Sequence, residues 1–269
     1  MNLLIMSLMI LNVIFCVGRG VDLALFTDPE TGLCLAGSVW LRYAALAVVV
    51  LLAVFAGYTA KRNLKALCSP CKPSAAVAFL GGVLLAVAGI LKLFWGSGAP
   101  LVRGIWMFLA VRCGAWLLQL GKSWRRKEWK RPSKNLADVV LGTAIFYWCV
   151  LARFMENSSS WHRVAPTVVV WQMLAALVFL STLGRALLLP ETADSRALCA
   201  AGLAAWALCL CWELPDLGVT LLREDATLVQ LPEFVFGLGL CCIGVLGGFC
   251  AVRVTRTEQG QKSVRHSVG

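Results

Sequence analysis

The chain alternates long apolar runs with short polar stretches. The runs fall at about 2–18, 38–60, 74–95, 99–120, 136–155, 164–189, 196–213 and 232–252. Each is near the ~20 residues that carry an α-helix across a hydrocarbon core. A helix satisfies its own backbone hydrogen bonds in lipid, whereas a barrel would show short alternating strands. The pattern predicts an all-α integral membrane protein, a bundle of about eight transmembrane helices with no large soluble domain. The first run is the shortest and weakest, and without it the bundle has seven spans. It opens MNLLIMSLMILNVIFCV, with no basic start and no small-residue cleavage pattern, so it reads as a retained span.

Composition sharpens this picture. Hydrophobic residues make up 59% of the 269 positions and charged residues 14%, against roughly 45–50% and about 25% in soluble domains. The formal net charge of +11 would point to an acidic partner in a soluble protein. Here the basic residues collect in alternate loops. Lys61, Arg62, Lys65 and Lys72 follow the second run, and Lys122 to Lys134 follow the fourth. Arg185 and Arg196 flank the next such loop, and a tail over 253–269 carries Arg253, Arg256, Lys262 and Arg265. The acids Asp22, Asp28, Glu30, Glu156, Glu213, Asp216, Glu224, Asp225 and Glu233 fall on the opposite side. The positive-inside rule then predicts a cell-membrane protein with both termini in the cytoplasm. The tail is expected to be disordered.

The basic loop 121–135 interleaves Trp124 and Trp129 with its cations. Five residues apart, the two rings do not share a helix face. The loop is therefore read as a positive-inside anchor touching anionic headgroups, with specific lipid regulation behind it and no nucleic-acid partner. On the other side, Asp28-Pro29-Glu30-Thr31-Gly32 marks a turn. The stretch 212–233 reads as an acidic connector with Pro215 and Pro232, and Asn157-Ser158-Ser159 matches a glycosylation sequon.

Charged residues inside the spans are the candidate chemistry, because burying them in a membrane is expensive. Arg112 falls near the middle of the fourth run, and Asp138 opens the fifth. They are the expected internal pair, since an arginine pointing towards the cytoplasm spans much of a gap of roughly 12 Å. Arg42, Arg103, Glu213 and Glu233 sit at outer helix ends, at depths where they line a vestibule or serve as interface charges. Gln119, Gln172 and Thr143 are further polar residues read as buried.

Twelve cysteines fall mostly within spans, where a free thiol is a small hydrophobe. Cys68 and Cys71 differ, lying in the polar stretch KALCSPCKPS. A turn with incidental cysteines is the first reading, a redox pair the second, and half of a zinc site the third. With two histidines in the chain, no metal centre or cofactor is expected. No hydrolytic or phosphate-cradling motif argues for an enzyme. Gly237, Gly244, Gly247 and Gly248 give the last span a small-residue face, for packing within the bundle or for a homo-oligomer or membrane partner. The functional expectation is a transporter, or a membrane subunit of a transport system, for a small solute or ion. The alternative is a non-transporting protein of assembly, sensing or thiol redox.

Overall fold

The computed structural model describes residues 3–28, 33–59, 63–133, 135–155, 164–222 and 230–255. Eight helices are long and apolar enough to cross a membrane: α1 (Leu3–Leu25), α2 (Val39–Thr59), α3 (Lys72–Trp95), α4 (Pro100–Arg125), α5 (Leu136–Met155), α6 (Val164–Leu188), α7 (Ser195–Leu222) and α8 (Leu231–Val254). The chain is an all-α membrane bundle. Its only β-pairing among the described residues is a single antiparallel bridge between Thr27 and Cys34. The turn expected at 28–32 lies largely outside the described residues. The sequon at 157–159 and the tail from 256 lie wholly outside them.

Four helices run further than the apolar runs suggest. Helix α1 continues to Leu25, so Arg19 and Asp22 are helical rather than loop residues. Helix α4 continues through the first cations of the basic loop to Arg125, and α8 includes Arg253. The largest difference is in α7, which the sequence ends at 213 and the structure carries to Leu222. Its middle, Trp206–Trp212, is a π-helical segment. Pro215 follows in the first turn after it. There the wider turn has already interrupted the α ladder, so the missing proline N–H is tolerated.

Small residues let the helices approach closely, as expected where lipid removes the hydrophobic drive between them. A Cβ at Gly82 of α3 would stand 2.7 Å from the carbonyl oxygen of Gly114 on α4. Gly202 of α7 and Gly247 of α8 stand in the same relation at 2.6 Å. Gly57 of α2 leaves room for Ala200 of α7. The glycine face of α8 is filled within the chain. Gly237 faces Glu213 and Leu217, Gly244 faces Leu210, and Gly248 faces Trp206 and Met9.

A candidate polar site between α1 and α7

The buried residues of α1 are Ile5, Leu8, Asn12 and Arg19. Their spacing of three, four and seven puts them on one helix face. Apolar at the start and polar beyond, this face packs against α7. Arg19 is 7% exposed and Asn12 2%. Seven buried side-chain donor atoms lack a hydrogen-bond partner among the described residues, and four of them lie on these two helices. They are Asn12 Nδ2, Arg19 Nε, Trp206 Nε1 and Trp212 Nε1. The two tryptophans bound the π segment of α7. Buried donors are nearly always satisfied, so a set of four on two packed helices requires an explanation.

Towards the acidic end the set becomes charged. The guanidinium of Arg19 lies 5.5 Å from the ring centre of Trp212, a cation–π contact. Its Nη1 donates to Asp22 at 2.7 Å, and its Nη2 is 3.7 Å from Asp216. Asp22 also accepts from Arg42 at 2.5 Å, and Arg42 donates to the Phe26 carbonyl at 2.9 Å. Directly after the π segment, Glu213 accepts from Gln172 Nε2 at 2.9 Å. The same Gln172 nitrogen donates to the Leu208 carbonyl inside the π segment at 3.2 Å. Gln172 thus ties α6 to the irregular part of α7. π-Helical turns are often found at functional sites.

The residues singled out from sequence fall in different places. Arg112 Nη2 donates to Asp138 at 2.9 Å, joining α4 to the first turn of α5 as expected. Ser133 holds the other carboxylate oxygen at 2.5 Å. Both side chains of the pair are about a third exposed, 35% and 34%, so the pair sits on the flank of the bundle rather than in a sealed interior.

Arg42, Arg103, Glu213 and Glu233 do not contact one another among the described residues. Arg103 donates to the carbonyls of Leu93 and Gly96, closing the end of α3. Glu233 pairs with Lys92. Arg42 and Glu213 alone belong to the polar set just described. Thr143 is buried and donates to the Val140 carbonyl. Gln119 is exposed, which corrects the reading of it as buried: it lies on the outer side of α4.

Cys68 and Cys71 occupy a clamped turn. Trp124 Nε1 donates to the Leu67 carbonyl at 2.9 Å, and Cys71 N–H donates to the Trp124 carbonyl at 3.0 Å. Arg253 Nη2 donates to the carbonyls of Ala66 and Ser69 at 2.8 and 2.7 Å, with its guanidinium 5.4 Å from the Trp124 ring centre. Cys71 Sγ shares a 3.2 Å hydrogen bond with Ser74 Oγ. Burial pushes the Cys68 thiol above its ordinary pKa, a rise only partly offset by Arg253 and Arg131. Both cysteines are free, and no three metal-ligating side chains converge among the described residues. Trp124 and Trp129 also pack together, ring centres 6.4 Å apart. Helix α4 ends at Arg125, so the helical spacing that separates them does not apply.

Sequence reasoning noted Gln172 and Glu213 separately but missed Asn12, Arg19, Trp206 and Trp212 as a set. The available signal was Asn12 and Arg19 at a seven-residue spacing in a largely apolar helix. Comparison of the chain with protein-family models, curated proteins and solved structures gave no match.

Proposed function

We propose that this multi-pass membrane protein is a transporter, or the membrane subunit of a transport system, for a small polar solute or ion, and that the α1–α7 site holds it. The observation that carries the reading is the set of four buried, unpartnered donors. Two hydrogen-bond donors come from the middle of α1 and of α7, at Asn12 and Trp206, and two more lie nearer the acidic end at Arg19 and Trp212. Together they suit a solute with acceptor oxygens, entering past the Glu213 carboxylate, which accepts from the neutral Gln172, while Asp22 and Asp216 are taken up by Arg19 and Arg42. Charged residues within membrane spans commonly mark such paths. The basic end of the bundle is placed in the cytoplasm on the charge bias of its loops. Arg112 and Asp138 then brace α4 against α5 and lie off the path.

Accessibility tests this reading. In a background without native cysteines, Asn12→Cys is expected to react with a water-soluble methanethiosulfonate reagent, whereas Ile5→Cys, in the apolar part of the same face, is not. A Cys at 12 that stays as inert as one at 5 would mean the donors line no hydrated path.

The runner-up reading, thiol exchange through Cys68 and Cys71, draws on both thiols being only half-buried in one turn. The raised pKa of Cys68 counts against it.

A further inference from the structure

A second feature lies at the opposite, basic end and is independent of the α1–α7 site. Between α3 and α4 runs a groove of about 770 Å³ lined by Lys72, Lys122 and Arg125 with Ala76, Phe79, Leu80 and Val83. Gly121 forms part of its floor, where a Cβ would stand 3.0 Å from the Ala75 carbonyl oxygen. The three cations are exposed. No acidic residue lines the groove, and no ion pair among the described residues engages the three. From Lys72 to Val83 the helix rises about 16 Å at 1.5 Å per residue, roughly half of a hydrocarbon core about 30 Å thick. The apolar wall therefore runs about the depth of one leaflet, and the cations stand at its headgroup end.

We infer that this groove is a binding site for an anionic phospholipid of the surrounding bilayer. The phosphate sits among Lys72, Lys122 and Arg125, and one acyl chain lies along Phe79, Leu80 and Val83. Charge complementarity selects the occupant. A zwitterionic lipid brings a cationic group to three cations, whereas an anionic one does not. Sequence alone spread this attraction over the whole loop 121–135. The structure concentrates it on one end of that loop and adds Lys72 from a different helix.

Native mass spectrometry of the full chain from mixed micelles tests the assignment, with phosphatidylglycerol and phosphatidylcholine as probes. Wild type is expected to retain phosphatidylglycerol over phosphatidylcholine. The Lys72→Ala/Lys122→Ala/Arg125→Ala variant should lose affinity on the order of 100-fold. Arg126→Ala/Lys127→Ala/Lys130→Ala, equal in charge change but outside the groove, should keep it. Val83→Trp, which blocks the acyl wall without touching charge, should weaken retention as well. Inorganic phosphate should not displace the lipid, since it lacks the chain. Equal losses in the two charge variants, no preference between the lipids, or displacement by phosphate would each overturn the site.

Discussion

Gly237 of α8 packs so closely against Glu213 of α7 that a Cβ on the glycine would overlap Glu213 Oε1, and Leu217 Cδ2 beside it at 2.8 Å. The glycine is what lets the carboxylate lie against the α8 backbone while accepting from Gln172. Gly237→Ala is expected to displace Glu213 and reduce solute-driven current in reconstituted membranes. The cost in stability should be about 1 kcal/mol, because the ends of two flexible side chains, Glu213 and Leu217, are what must move. Gly104 of α4 has nothing within 4 Å of its notional Cβ. Gly104→Ala should therefore leave the current unchanged and be neutral or stabilising by up to about 1 kcal/mol. Thermal unfolding in detergent, run beside the current measurement, separates the two effects.

The basic-end turn depends on two side chains from distant parts of the chain. Trp124→Phe keeps the ring but removes the donor to Leu67, and is expected to destabilise by about 1 kcal/mol. Arg253→Ala leaves the carbonyls of Ala66 and Ser69 without this donor and should cost more, roughly 1–3 kcal/mol. Limited proteolysis should then cut between residues 63 and 71 faster in Arg253→Ala than in wild type. Equal cutting rates would mean that Arg253 does not hold the turn.

The raised Cys68 pKa has a kinetic consequence. With less thiolate at a given pH, Cys68 should alkylate more slowly than a free cysteine near neutrality. The rate should climb as pH passes above the ordinary thiol range. A Cys68→Ala/Cys71→Ala variant should retain both fold and current. If it loses current while folding normally, the thiol-exchange reading gains at the expense of the transport site proposed between α1 and α7.

Arg112 and Asp138 make a flank ion pair, so their coupling should be small. A double-mutant cycle over Arg112→Gln and Asp138→Asn is expected to give on the order of 1 kcal/mol or less, since both groups are about a third exposed. Current should survive either change. Its loss in both single variants, with folding intact, would put this pair on the path.

These outcomes reflect what a sequence can and cannot carry. Eight apolar runs were legible because membrane helices must be long and apolar. The Arg112–Asp138 contact was legible because a charge within a span needs a partner. Helix ends were not. Arg19 and Asp22, or Trp212-Glu213-Leu214-Pro215, look like connectors in a linear reading, and only packing shows that they continue the helices. The π segment of α7 leaves no periodic mark across seven residues. Gln172 and Glu213 lie 41 positions apart, so their pairing appears only once α6 and α7 are laid together. The clamp at Cys68 and Cys71 was hidden for the same reason, as Arg253 reaches it from the far end of the chain.

Transport through the proposed α1–α7 polar site is read most directly by solid-supported membrane electrometry on proteoliposomes, with concentration jumps of protons, sodium and a panel of small carboxylates, amines and amino acids. Wild type is expected to give a transient current for at least one of these. Trp212→Phe removes one unpartnered donor and should raise the half-saturating concentration about tenfold. Glu213→Gln, which preserves an acceptor for Gln172, should abolish the current. Wild-type currents no larger than those of protein-free liposomes for every jump, or currents unchanged in both variants, would contradict it.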